Sequence, residues 1–182
     1  MEKRIAIPEK VEIKLEDRKV IVKGPKGELS KDFDNPKFNK AVTIEKDGEV
    51  VIKTESEERK IKAMVGTIAS HVKNMITGVT IGFKYTMKIF YAHFPVSVTV
   101  KDNEVHVKNF LGEKGARISK IAGKTEIVVD KENIVLTGNN VEDVSQTAAN
   151  IEKSCKLSKR DKRVFQDGIY ISGKFLQSGE EI

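Results

Sequence analysis

Positive charge is concentrated in two segments of this sequence that also contain residue types suited to binding phosphate. Lysine and arginine exceed the acidic residues by four in segment 108–124 and by four in segment 156–174, although the whole chain has a net charge of only +6. Basic side chains neutralise phosphates and release counterions from a nucleic acid. Glycines recur in both segments and let backbone amides approach a phosphate closely. We favour RNA contact over the alternative, a plain solvated basic surface.

Neutral and aromatic side chains in the same segments could add to such contacts. Asn109 and Ser172 can donate hydrogen bonds to phosphate oxygens. Phe110, Phe165 and Tyr170 could stack on unpaired bases, or each could anchor its loop to the core, which is the slightly favoured interpretation. The predicted RNA-binding residues are Asn109, Lys114, Arg117, Lys156, Lys159, Arg160, Lys162, Arg163, Tyr170 and Lys174.

Sequence patterns typical of enzymes are incomplete. His71, His93 and His106 have no serine or cysteine partner in a recognisable nucleophile motif. The Gly-Lys-Thr at 123–125 resembles the end of a phosphate-binding loop, but Ile118 stands where that motif requires glycine. We therefore predict no enzyme, no catalytic residue and no small-molecule substrate. An enzyme that depends on His93 and His106 is the less favoured alternative.

The composition indicates a protein of a reducing compartment without metal or cofactor. The one cysteine, Cys155, cannot form an internal disulfide, and no Cys/His cluster suggests a zinc site. The first residues have too few apolar side chains for a signal peptide. No stretch approaches the roughly 20 apolar residues of a membrane span. A soluble, cytoplasmic protein with no membrane partner is expected.

The basic segments belong to the second copy of a repeated pattern. Alternating apolar residues predict hairpins at 11–23 and 98–108, and further hairpins at 43–52 and 125–136. Each second hairpin precedes an apolar stripe at helical spacing, from Ile61 to Met75 in the first copy and from Val141 to Cys155 in the second. The predicted fold class is α+β, with two tandem copies of a small antiparallel β-sheet packed against one α-helix.

The predicted boundaries follow from capping signals and from the repeat. Thr54 and Glu57 have the spacing of a capping box for the first helix, and Gly78 is its expected C-cap. An asparagine at 139 or 140 should cap the second helix, with acidic residues in its first turn. The predicted domains are residues 1–79, residues 80–174 as the main RNA-binding domain, and a C-terminal tail at 175–182.

Three segments, together with the repeat, resemble a known family. They are Tyr-Ala-His-Phe-Pro at 91–95, Asn-Phe-Leu-Gly-Glu-Lys at 109–114, and Lys-Arg-Val-Phe-Gln-Asp-Gly-Ile-Tyr-Ile-Ser-Gly-Lys at 162–174. They resemble the large-subunit ribosomal protein six family in its archaeal and eukaryotic branch, over essentially the whole chain. The chain lacks the Pro-Tyr-Lys-Gly-Lys-Gly type of segment that the bacterial branch has near its end.

This resemblance implies two tandem domains of like fold that bind large-subunit ribosomal RNA, chiefly through the second domain. It also implies a position near the sarcin–ricin region and the stalk base, beside neighbouring ribosomal proteins, and no catalytic site. The alternative is a protein-interaction module without catalytic activity, since the first copy keeps the pattern of strands and helix without the cluster of charge.

Overall fold

The computed structural model describes residues 1–36, 41–157, 161 and 163–181. The chain forms two compact units, Met1–Ile81 and Gly82–Ile182. We call them the first and the second unit.

The first unit combines antiparallel strands with one long helix. Its elements are β1 (Glu2–Ile5), β2 (Glu12–Glu16), β3 (Lys19–Gly24), β4 (Gly27–Asp32), β5 (Thr43–Asp47), β6 (Glu49–Lys53) and α1 (Arg59–Thr80). The strands form two antiparallel sheets, in the orders β2-β3-β4 and β1-β6-β5.

The second unit repeats this plan and adds one strand at its C-terminal end. Its elements are β7 (Phe83–Phe90), β8 (Ser97–Lys101), β9 (Glu104–Lys108), a turn of 3₁₀-helix (Phe110–Gly112), β10 (Arg117–Lys120), β11 (Glu126–Asp130), β12 (Asn133–Gly138), α2 (Val141–Ser154) and β13 (Gly168–Leu176). The sheet orders are β8-β9-β10 and β11-β12-β7-β13.

Each unit buries its own apolar core because most of its strands alternate inward and outward side chains. In the first unit, strand residues such as Ile13 and Val22 meet the stripe of α1. In the second, Met87 and Leu136 meet Val144 and other residues of α2. The predicted α+β class, the four hairpins and both helical stripes are confirmed, but the strands of each unit divide between two sheets rather than forming one.

The predicted N-terminal capping of α1 is wrong. The helix is preceded by Glu58, which makes no side-chain capping bond. Thr54 is instead buried, where its hydroxyl donates to the Ala41 carbonyl at 2.6 Å and accepts a bond from the Ser56 amide. Thr54 therefore holds the chain near Ala41, 13 residues earlier, and does not cap the helix that follows it.

The predicted C-terminal end of α1 is also wrong, because Gly78 lies inside the helix and is buried. The helix continues to Thr80, and the glycine with a positive φ is Gly82, at +82°. The apolar stripe explains the extension. It runs on through Val79, which packs against the backbone of Gly24 at the end of β3.

The N-terminus of α2 agrees with expectation. The side chain of Asn140 accepts a hydrogen bond from the Glu142 amide at 3.1 Å, and Glu142 and Asp143 occupy the first turn. At the far end of the unit, β13 includes Phe175 and Leu176, two residues that we expected in the C-terminal tail.

Two glycine substitutions in the first unit should have opposite effects on stability. A Cβ at Gly24 would lie 2.9 Å from the Val79 carbonyl oxygen and closer still to its side chain, so Gly24→Ala should lower the free energy of unfolding by about 1–3 kcal/mol. A Cβ at Gly66, within α1, would have no neighbouring side chain closer than 3.6 Å. Gly66→Ala should therefore raise the free energy of unfolding by about 0.5–1 kcal/mol. Urea unfolding of both variants tests this, and equal effects would contradict the packing of Gly24 on α1.

Candidate nucleic-acid interface

The three segments that resemble one family are brought together in the second unit. Segment 91–95 connects the other two. The side-chain amide of Asn109 donates to the Pro95 carbonyl at 3.0 Å. Beside this bond the ring of Phe94 lies against Gly112, so closely that a Cβ on the glycine would be 3.3 Å from it. The loop after β7 is thereby fastened to the loop after β9.

Asp167 fastens the same loop to the third segment. Its carboxylate is buried and accepts bonds from the amides of Ala92 at 3.1 Å and His93 at 3.3 Å. The Nδ1 atom of His93 lies 2.9 Å from the other carboxylate oxygen, and its ring stacks on Phe165 with centroids 5.0 Å apart. One carboxylate therefore orders both the loop at 92–93 and the chain that leads into β13.

These hydrogen bonds also determine the charge state of Asp167. Burial by itself raises the pKa of a carboxyl, but the bonds from the His93 ring and from the two amides together outweigh it, and the pKa of Asp167 lies below its ordinary value. The carboxylate consequently remains ionised at neutral pH and keeps accepting all three bonds.

Arg117, a predicted RNA-binding residue, is engaged inside the unit. Its guanidinium forms a two-pronged ion pair with Glu113, at 2.6 and 2.8 Å. It also donates to the carbonyls of Ser154 and Lys156, at the last turn of α2 and just beyond it, and lies 4.4 Å from the centroid of the Phe110 ring. The glutamate raises the pKa of the guanidinium. A phosphate would have to compete with all these partners.

The first unit has a related arrangement at the end of α1. The Lys26 ammonium donates to the carbonyl of Ile81, and the Lys26 amide donates to Val79 at 2.9 Å. In both units a basic residue that follows the second strand of the first hairpin thus reaches the carbonyl end of the helix, where a positive charge is favourable. The glycine-bearing loop at 24–27 therefore has a structural role in the first unit.

Lys156 and Tyr170 lie on one groove. It has a volume of about 330 Å³ and separates the C-terminal end of α2 from the start of β13. Lys153, also on this groove, was not among the predicted residues. Its position three residues before Lys156 was the signal in the sequence, although α2 ends at Ser154 and only Lys153 lies in the helix. Glu152 is the acidic residue of α2 on the groove wall.

Tyr170 and Lys174 lie on opposite faces of their sheet. Tyr170 pairs with Lys88 of β7, whereas Lys174 pairs with Tyr85 because the register shifts between Ile171 and Gly173. Lys88 and Tyr85 are three residues apart in one strand, so their side chains point to opposite faces of the sheet. Because directly paired residues point to the same face, Tyr170 shares the face of Lys88 and Lys174 shares that of Tyr85. The Lys174 ammonium accordingly lies 5.7 Å from the Tyr85 ring centroid.

The remaining predicted residues are exposed or lie outside the described residues. Lys114 is exposed in the loop after the 3₁₀ turn. The Arg163 side chain is 92% exposed and lies 3.5 Å from the Asp161 carboxylate. The predictions that lie outside the described residues are Lys159, Arg160 and Lys162.

The predicted aromatic residues differ in their surroundings. Phe110 is buried, which confirms that it anchors its loop to the core. Phe165 is half-buried against His93. Tyr170 is exposed, and its hydroxyl donates to the Gln166 carbonyl at 3.1 Å.

The other two histidines have ordinary surroundings. His71 lies 3.2 Å from the Lys31 ammonium and near the Phe33 ring, and His106 lies 3.4 Å from Glu104. Within 1–36, 41–157, 161 and 163–181, no group of three or more His, Cys, Asp and Glu side chains is placed to hold a metal ion. In that same part of the chain no helix has the length and apolar character needed to cross a membrane.

Comparison with known proteins agrees with this arrangement. The family model of Ribosomal protein L6 matches residues 7–82 and 94–168, one match to each unit. The chain belongs to the ribosomal protein L6 family. As a member it is a ribosomal protein of the cytoplasm and not an enzyme, which confirms the resemblance drawn from the three segments.

Individual relatives match along nearly the whole chain. Each is named Large ribosomal subunit protein uL6. The protein of Ignicoccus hospitalis is 44% identical over 96% of this chain and 95% of its own length. That of Methanosarcina mazei is 49% identical over 93% and 95%, and that of Saccharolobus solfataricus is 46% identical over 96% and 95%.

Removal of the Arg117 guanidinium should destabilise the protein before any RNA is present. Arg117→Gln leaves Glu113 and two carbonyls at the end of α2 without their donor, so the free energy of unfolding should fall by about 1–3 kcal/mol. Lys114→Gln, an exposed change in the same loop, is the matched control and should leave it within about 0.5 kcal/mol of the parent. Equal unfolding midpoints for the two variants would show that Arg117 has no such role.

The lowered pKa of Asp167 predicts a pH-dependent contribution to stability. Because the folded-state pKa lies below the unfolded value of about 3.9, the contribution is complete above that value and is lost as pH falls through the folded pKa. Asp167→Asn should therefore cost about 1–3 kcal/mol at pH 7, and the difference from the parent should shrink below about pH 4. Thermal unfolding from pH 3 to pH 7 measures it, with the exposed Asp130→Asn as control. A difference independent of pH would rule out the ionised carboxylate as its source.

Proposed function

We propose that this protein is a structural component of the large ribosomal subunit and binds large-subunit ribosomal RNA mainly through its second unit. The names of its relatives support the first half of this statement. The second half rests on one structural observation. The loops that carry exposed basic residues are fastened to one another by buried or internally paired side chains, chiefly Asp167 and Arg117.

Fastened loops favour binding because little conformational freedom is lost when RNA docks. Lys114, Lys156 and Arg163 are exposed on these loops or beside them, and lysine and arginine give phosphate contacts that are independent of base identity. We assign phosphate binding to them, with Arg117 and Asn109 positioning the loops. The charge on Lys153 extends this surface along α2.

The ion pairs of the first unit support the proposal that RNA binds mainly to the second unit. Several of its lysines are paired across strands with carboxylates, as in Lys23–Glu28 at 3.2 Å and Lys53–Glu45 at 2.9 Å. Paired charges attract a polyanion less than unpaired ones. We therefore propose that the first unit mainly faces neighbouring ribosomal proteins or solvent, which retains the protein-interaction alternative for that unit alone.

The place of binding is inferred from the family resemblance. We propose that the second unit contacts RNA near the sarcin–ricin region and the stalk base, next to neighbouring ribosomal proteins. Chemical footprinting of deproteinised large-subunit RNA with and without the full-length protein tests this location, because protection elsewhere would refute it.

The salt dependence of binding distinguishes phosphate contacts from other contacts. In the full-length protein, the double variant Lys156→Gln/Arg163→Gln should bind large-subunit RNA more weakly and reduce the slope of log K against log salt by about one unit per lost contact. The matched control is Lys14→Gln/Lys23→Gln in the first unit, where the lysines lie beside Glu12 and Glu28. Filter binding across a salt series measures both. Equal slopes for the two variants would place the RNA contact outside the second unit.

A further inference from the structure

Exposed aromatic rings and a lysine lie together on one face of the four-stranded sheet β11-β12-β7-β13. Strand β7 alternates, so that Tyr85, Met87 and Ile89 are buried in the core with α2. Lys88 and Phe90 point to the opposite side. Phe90 is 47% exposed, and Tyr170, on the neighbouring strand β13, is 41% exposed.

The rings are held in place by their neighbours. The ring of Tyr170 lies over Gly168, where a Cβ would be only 2.8 Å from it, and the Tyr170 hydroxyl is bonded to the Gln166 carbonyl. Phe90 pairs with Gly168 across the strands, and the centroids of the two rings are 6.0 Å apart with a tilt of 55°. The Lys88 ammonium is 5.4 Å from the centroid of Phe90. The rings are thus ordered without being covered.

Single exposed apolar residues are common and need no partner. Here the exposure is grouped, because the exposed rings of Phe90 and Tyr170 are neighbours and Tyr91, the residue directly after β7, is also 44% exposed. The groove with Lys153 and Lys156 begins at Tyr170. Aromatic rings beside basic side chains match the two parts of a nucleotide, its flat base and its charged phosphate, better than they match an apolar protein surface.

We propose that Phe90 and Tyr170, with Lys88 beside them, form a platform on which unpaired bases of the bound RNA stack. Because β13 is the edge strand of this sheet, the phosphates next to those bases then pass around that edge and contact Lys153 and Lys156 on the α2 side. This inference rests on the proposed function and adds the kind of RNA structure that is recognised, a splayed-out base rather than a continuous duplex. Stacking on an exposed sheet is a known way to bind single-stranded RNA without displacing core residues.

The test uses the full-length protein and deproteinised large-subunit RNA of Methanosarcina mazei. Phe90→Leu/Tyr170→Leu removes both rings but keeps apolar side chains of similar reach, so it should weaken binding roughly fivefold to a hundredfold. The salt slope should stay unchanged because no phosphate contact is lost. The ring-preserving double variant Phe90→Tyr/Tyr170→Phe should lose much less affinity than the leucine variant because both rings remain. Val128→Ala, an exposed apolar site on β11, should bind like the parent.

Intrinsic fluorescence gives a second readout in the parent protein. The chain contains three tyrosines and no tryptophan, and Tyr85 is buried. A base stacked on Tyr170 should quench the tyrosine emission when RNA is added, and the quenching should decrease in the Tyr170→Leu single variant. Circular dichroism of each variant shows that the fold is retained.

The outcomes separate this inference from the function on which it rests. If the leucine double variant binds RNA like the parent while Lys156→Gln/Arg163→Gln still weakens binding, the platform is refuted and the proposed function stands. If RNA binding is unchanged but the leucine variant no longer joins large subunits in reconstitution, the rings contact a protein and the inference is wrong. If the parent does not bind the RNA, both proposals fail.

Discussion

The buried carboxylate of Asp167 is the interaction on which the arrangement of the second unit depends. It joins a loop at 92–93 to a residue about 75 positions later, through bonds to two backbone amides and one imidazole. A buried charge is costly unless it is well hydrogen-bonded, and here three donors compensate for its loss of water. The stacking of His93 on Phe165 and the start of β13 directly after Asp167 follow from this connection.

A second constraint is common to both units, since the last carbonyls of each long helix need partners. In the first unit Lys26 reaches the end of α1, and in the second Arg117 reaches the end of α2. Arginine offers several donors in a planar group, and Arg117 uses them to hold Glu113, two carbonyls and the face of Phe110 at once. The duplicated fold thus preserves a structural solution, while the exposed surfaces of the two copies have diverged.

Under the proposed function, this divergence lets one scaffold serve two purposes. In the first unit, opposite charges face each other across the strands. In the second, basic residues line a groove at the end of α2, and aromatic rings extend from it over the sheet. Side chains that turn inward, such as Asp167 and Arg117, position this surface, whereas the residues that project outward can recognise a ligand. Binding and stability are thereby assigned to different side chains of the same short segments.

The sequence by itself determined the features that depend on neighbouring residues. Alternation predicted the four hairpins, helical spacing predicted both buried stripes, and a cap was expected at Asn139 or Asn140, of which Asn140 has its partner only two residues away. Charge counting and three short segments pointed to the second copy and to the family.

Features that depend on distant residues were decided only by the tertiary structure. Thr54 is bonded to Ala41 rather than to its own helix, and α1 passes through Gly78 because Val79 packs on Gly24. A register shift in β13 sends Tyr170 and Lys174 to opposite faces, although both were predicted for one site. Arg117 has the same positive charge in the sequence as an exposed arginine, but its partners lie up to 39 residues away. A local pattern contains no information about such partners, because they are selected by the packing of the whole unit.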